Sequence, residues 1–153
     1  GFNLYHSLGE EPGCKWLDFV RLSKRLVTKD EQLEGVKYFT SFATWNAGKV
    51  DRHKRFIAAL EDSGVSVILG KFKKRERKLL CDSDRLKLKG KMIYHEEKHT
   101  DVNIGVEIVS GALLDEFDTI VLISADNDIV PALRSVRLHA PTKHIRIVSP
   151  PGR

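Results

Sequence analysis

Cysteine is scarce in this chain, and the scarcity sets the first limits. Only two occur among 153 residues, Cys14 and Cys81, and neither sits in a C-x-x-C pair. That excludes a disulfide-stapled miniature fold and a thiolate zinc ribbon, and a domain of this length needs no such staples. A reduced, cytoplasmic setting is the expectation that follows. Long apolar runs are also missing. No stretch reaches the roughly 20 residues needed to cross a bilayer, and no signal-peptide pattern is present, so no membrane association is expected. Internal repeats and low-complexity tracts are absent too, which excludes solenoids and arrays.

What is present is enough for one ordinary domain. The chain is 41% hydrophobic, adequate for one core. Twenty-six Lys and Arg against 21 Asp and Glu give a formal charge of +5, which favours an anionic partner without identifying it. The distribution says more than the total. Lys71-Phe72-Lys73-Lys74-Arg75-Glu76-Arg77-Lys78 and Arg85-Leu86-Lys87-Leu88-Lys89-Gly90-Lys91 concentrate positive charge just before the acidic runs.

Taken in order, apolar spacing predicts a helix over 15–27, then a β-branched and aromatic strand over 36–43. A helix over 49–63 follows, with Gly64 suited to its C′ position, and then a strand over 65–69. Residues 71–98 alternate charged with apolar side chains and read as a basic extended or hairpin insertion. The plain account of that run is a solvated face; the alternative is direct contact with nucleic acid, with Phe72 and Tyr94 either stacking on bases or filling core. Residues 102–108 alternate strictly, as a strand would. Thr100 and Asp101 are good N-cap types, however, and Val102, Val106, Val109 and Leu113 fit helical spacing, so a helix is predicted. Residues 118–123 read as a strand buried on both faces. Asp128 is expected to cap a helix with Pro131 in its first turn, and 144–149 forms a last strand. The series is a single α/β domain over 1–153, three-layered, with a mostly parallel sheet flanked by helices.

Asp126 and Asp128 follow the 118–123 strand at its carboxyl end, the edge where open α/β sheets bind ligands. Asp101 opens the preceding element and can lie beside them. Three convergent acids repel one another unless a cation sits between them, and hard oxygen donors favour Mg²⁺ or Mn²⁺. Each piece alone has a plainer reading: Thr100-Asp101 as a helix cap, Ser124-Ala125-Asp126-Asn127-Asp128 as turn chemistry. A calcium loop starting at Asp126 fails because its sixth position is Pro131 rather than Gly. A rival lies nearby: His95-Glu96-Glu97-Lys98-His99 matches the H-E-x-x-H of zinc peptidases, but its charged middle and the new element at Thr100 deny it the required helix.

Glu97-Lys98-x-Thr100-Asp101-Val102, Ser124-x-Asp126-x-Asp128 near Pro131, and the opening Gly1-Phe2-Asn3-Leu4-Tyr5 together resemble the NYN domains of the PIN-like nuclease superfamily. Ala125, Asn127 and Ile129 depart from that family's pattern, which has Gly, a small hydroxyl residue and an aromatic there. The resemblance implies an acidic pocket binding divalent metal and metal-dependent cleavage of RNA. Asp101, Asp126 and Asp128 would be metal ligands and catalytic groups, Thr100 and Ser124 would orient ligands or water, and Asn3 and Lys98 would contact substrate; the basic run, through Lys73, Lys74 and Arg75, is expected on its charge to add phosphate contacts. The family's first acid would directly precede Gly1, so the intact polypeptide is expected to carry a β-branched strand ending in Asp before that residue. A non-catalytic RNA-binding or regulatory module is the alternative. The sequence leaves a homo-oligomer or protein partner open.

Overall fold

A computed structural model describes residues 16–80 and 89–150. Asn3, the 1–5 opening, Cys14, Cys81 and the start of the second basic run, 85–88, lie outside the described residues. The elements run α1 (Phe19–Leu26), β1 (Val36–Thr40), α2 (Ala47–Asp62), β2 (Val65–Leu69), β3 (Lys71–Leu80), β4 (Lys89–Lys98), α3 (Thr100–Leu113), β5 (Thr119–Ile123), α4 (Val130–His139) and β6 (His144–Val148).

Local chemistry sets most of these boundaries. Asp18 accepts a hydrogen bond from the Arg21 amide at 2.8 Å to start α1, and Asn46 accepts one from Lys49 at 2.9 Å to start α2. Gly64, at φ +88, ends α2 in the left-handed conformation that costs glycine nothing. The strand expected over 36–43 stops at Thr40, and residues 41–46 turn away toward α2.

Two βαβ units result. β1 pairs with β2 in parallel around α2, and β5 pairs with β6 in parallel around α4. Among the described residues no ladder joins the two pairs, so the expected single sheet is present as two short parallel sheets with flanking helices. This also corrects the expectation for residues 118–123. Every residue of β5 is only half-buried, because a strand with one described ladder neighbour cannot be enclosed on all sides. Each unit has its own core: Phe19, Leu60 and Val65 with Tyr38 and Phe56 in the first, and Ile108, Ala112, Ile129, Leu133 and Val136 with Ile120 and Ile145 in the second. Gly111 serves the second core by letting α3 approach the ring of Phe117, which would lie 2.8 Å from an added Cβ.

Polar links tie the units together. Lys37 of β1 meets Glu107 of α3 at 2.6 Å. Arg146 of β6 donates to both carboxylate oxygens of Glu31, at 2.8 and 3.0 Å, and to the Leu26 carbonyl at the end of α1. The Arg146 guanidinium, helped by the Thr28 amide, holds the Glu31 carboxyl down at about 2, against an ordinary 4.5. A carboxyl depressed in the fold stabilises it above the unfolded value and loses that contribution as pH falls toward the folded one. Glu31→Gln is therefore expected to lower stability at pH 7, and its deficit against the parent should shrink as pH falls from 4.5 toward 2. Urea unfolding across that window checks it; a deficit independent of pH would contradict the assignment.

Strands β3 and β4 pair antiparallel, as a hairpin's arms do, with Lys71 opposite Lys98 and Arg75 opposite Tyr94; residues 81–88 between them lie outside the described residues. No helix among the described residues is long and apolar enough to cross a membrane.

Candidate functional site

The carboxyl ends of β1 and β2, the base of the hairpin and the start of α3 meet at one point, Gly70. Its amide donates to the Thr40 carbonyl at 2.8 Å. A Cβ on it would lie 2.4 Å from Thr100 Oγ1, 2.5 Å from Ser41 Oγ and 2.9 Å from the Lys98 carbonyl. Ser41 and Thr100, both buried, are hydrogen-bonded at 3.3 Å, and Thr100 Oγ1 donates to Glu97 Oε1 at 2.6 Å. Thr100 thus orients an acid, Glu97, to which the sequence reading gives no role.

Asp101 projects from this point. The expected cap at Thr100 or Asp101 is not formed. The N-cap of α3 is His99, in the left-handed conformation at φ 79 and with no side-chain cap bond. A sharp left-handed turn off β4 places Thr100 and Asp101 inside the first helical turn, where the Asp101 carboxylate also meets the positive end of the helix. Partial desolvation, then the carboxylates of Asp126, Glu97 and Asp128, push the Asp101 carboxyl above its usual range. The acids predicted from separate stretches of sequence therefore act on one another, with Glu97 added to them.

On the other side, Ser124 is buried at the end of β5, and its Oγ accepts from the Asp126 amide at 3.1 Å. Asp126 Oδ1 in turn accepts from the Asp128 amide at 3.0 Å and caps a 3₁₀ turn, Asn127–Ile129, that leads into α4. The expectation for Asp128 is corrected here: it lies within the turn, α4 starts at Val130 after Ile129, and Pro131 does occupy the first helical turn. Asp126 combines turn chemistry with proximity to Asp101, and Asp128 stays exposed.

Among the described residues no three His, Cys, Asp or Glu side chains stand close enough together to hold a metal ion. Asp101, Asp126 and Asp128 share an electrostatic field rather than a closed coordination sphere. The donors fit a hard divalent cation in kind, being carboxylate oxygens whose repulsion a cation would offset.

The H-E-x-x-H reading fails on structure. His95 and Glu96 lie in β4 and His99 at a left-handed turn, so no helix aligns the two imidazoles. Glu96, the base in that reading, is ion-paired with Lys98 and, at 3.0 Å, with Arg75, and both hold its carboxyl below the ordinary range.

The pleat divides the predicted substrate contacts. In an antiparallel pair, opposite residues share a face and neighbours along a strand alternate. Phe72, Lys74, His95 and Glu97 therefore lie on the face toward the acids, whereas Lys73, Arg75, Tyr94, Glu96 and Lys98 lie on the other. Of the predicted basic contacts, Lys74 alone shares the acid-facing side, and Lys98 and Arg75 are engaged by Glu96.

Comparison with known proteins places the chain in a family. 6-Hydroxy-3-succinoylpyridine 3-monooxygenase HspA of Pseudomonas putida (strain DSM 28022 / S16) is 24% identical over 179 aligned positions, covering 98% of this chain and 57% of that protein, so the chain spans little more than half its relative's length. No solved structure matches. The NYN domain family model matches residues 1–151, nearly the whole chain, and the chain belongs to the NYN domain family of the PIN-like nuclease superfamily.

Proposed function

We propose that the chain is a divalent-metal-dependent endoribonuclease whose acidic edge hydrolyses RNA phosphodiester bonds. The arrangement that supports this best is the placement of Asp101 at the start of α3 and of Asp126 and Asp128 in the turn after β5, at the carboxyl ends of the strands and beside the base of the basic β3–β4 pair. Asp101, Asp126 and Asp128, which do not stand close enough together in this structure to hold an ion, would have to draw in around Mg²⁺ or Mn²⁺ on binding. Such an ion supplies Lewis acidity, activating water and offsetting charge on the phosphate and leaving oxygen. Thr100 keeps Glu97 oriented by its hydrogen bond, and Ser124 fixes the turn that carries Asp126. The hairpin cations would hold the polyanion against this edge, which accounts for the basic balance of the chain.

The relative's name describes monooxygenation of a pyridine compound, which is a property of that protein. At 24% identity over part of its length, that activity has less support here than the acids and the hairpin. A non-catalytic RNA-binding role would keep the cations and dispense with the acids.

Reversing Lys73, Lys74 and Arg75 together to Glu is expected to weaken RNA binding for all sequences alike. The slope of log affinity against log salt should flatten, by roughly 0.7 for each single-strand phosphate contact removed. The pleat adds a sharper expectation: Lys74→Glu alone should impair cleavage more than Lys73→Glu, because only Lys74 lies on the acid-facing side. Salt titrations of binding and initial cleavage rates check the two parts, and equal effects of the single reversals would contradict the second.

A further inference from the structure

Trp45 lies in the turn after β1, at the edge where Ser41 meets Thr100, and its ring is held from two directions. His95 stacks on it with centroids 3.6 Å apart and planes 13° from parallel, and Phe72 meets it edge-on at 4.8 Å. Even so, Trp45 is 47% exposed. That exposure belongs to whatever surface His95 and Phe72 leave uncovered. Indole is the largest apolar side chain, and one clamped by two rings yet half open to solvent has only part of its surface in use within the fold.

The surroundings say what fits there. Phe72 is directly opposite Glu97, which Thr100 fixes beside Asp101, so the open ring lies on the same side of the hairpin as the acids. Lys74 is directly opposite His95, which puts a cation next to the ring. A half-exposed indole beside a cation and close to an acidic edge matches a nucleotide: a flat base to stack and a phosphate to hold. An apolar protein surface would leave Lys74 without use.

We propose that Trp45 is a base-stacking platform that seats an unpaired nucleobase next to the acidic edge, with Lys74 on an adjoining phosphate, so that the substrate is single-stranded RNA. Bases within a duplex present their edges and not their faces, so this platform discriminates against double strands. The inference rests on the ribonuclease reading for its substrate, but binding tests it separately from cleavage.

The test is fluorescence anisotropy with a short labelled single-stranded oligoribonucleotide, its duplex and its abasic counterpart, under chelation so that binding alone is read. Trp45→Leu keeps apolar bulk against His95 and Phe72 but removes the ring. It should weaken single-strand binding roughly tenfold, whereas Trp45→Phe should stay within about threefold of the parent. Abasic strand should bind all three proteins alike, and duplex should bind the parent more weakly than single strand. Trp45→Leu binding like the parent would overturn the proposal, as would equal losses on the abasic strand or a duplex preferred by the parent. So would concentration-dependent sedimentation of the RNA-free parent that Trp45→Leu abolishes, which would assign the ring to a second copy of the chain. Failure of the ribonuclease reading looks different: single-strand binding would depend on Trp45, yet the strand would stay intact with Mg²⁺ or Mn²⁺.

Discussion

Asp101→Asn is expected to abolish divalent-dependent RNA cleavage while raising the melting temperature of the protein under chelation. Both effects come from one interaction. The fold raises the Asp101 carboxyl pKa through partial desolvation and then through Asp126, Glu97 and Asp128. A group whose acid is easier to protonate folded than unfolded destabilises the fold wherever it is ionised. That cost is absent below the unfolded carboxyl range, grows as pH rises through the interval between the two values, and is complete above the folded one. At pH 7 the amide therefore relieves repulsion, and the difference between variant and parent should fade in acid. Added Mg²⁺ or Mn²⁺ should reverse the order by stabilising the parent, because a ligand that binds only the folded state shifts unfolding by mass action. Cleavage should fall by at least about a hundredfold, since even outer-shell partners of metal ligands commonly cost 10- to 100-fold. Thermal unfolding with chelator and with metal, alongside cleavage rates, checks all three. A residue serving only as a helix cap would give the opposite stability change.

Gly70→Ala should have the largest effect on the fold. The added methyl would overlap the Thr100 and Ser41 hydroxyls and, at 2.9 Å, the Lys98 carbonyl. The two hydroxyls could rotate aside only by giving up the Ser41–Thr100 bond and the bond from Thr100 to Glu97, and the carbonyl belongs to backbone. Overpacking of this kind costs about 1–3 kcal/mol. For a domain of this size, that is a loss of several degrees in melting temperature, at about 2–4 °C per kcal/mol. The same shift separates the start of α3 from the end of β1, so cleavage should fall by more than the lost stability explains. A variant with parental melting temperature and activity would show that Gly70 is not the pivot of the site.

Much of this was legible along the chain because its signals are local. The helix at 100–113 could be told from a strand by the spacing of Val102, Val106, Val109 and Leu113, despite strict alternation over its first turns. The end of α2 could be placed by one glycine, and the hairpin by its alternating charge. The candidate acids stand out in sequence because they follow a β-branched run and open a helix. What escaped depends on contacts between distant segments. Ser41, 59 residues from Thr100, has no feature that marks it, and Trp45 reads as any aromatic until His95 and Phe72 are seen against it. The cap of α3 was misplaced because Thr and Asp favour that position in general, whereas the exit from β4 forces His99 into it. Lys73, Lys74 and Arg75 look like one cluster in sequence, yet the pleat sends them to two faces.

The central claim is that the acids of α3 and of the turn after β5 work together with a divalent ion on RNA. Its most direct test is cleavage of a single-stranded RNA by the full polypeptide and by Asp126→Asn, each with Mg²⁺, with Mn²⁺ and after chelation. Asp126→Asn keeps the side-chain oxygen that accepts from the Asp128 amide, so the turn should survive while one charge is removed. The account predicts cleavage by the parent with either metal, none after chelation, and little or none by the variant under any condition. Cleavage by Asp126→Asn at the parental rate, or a parent that leaves RNA intact with both metals, would contradict it.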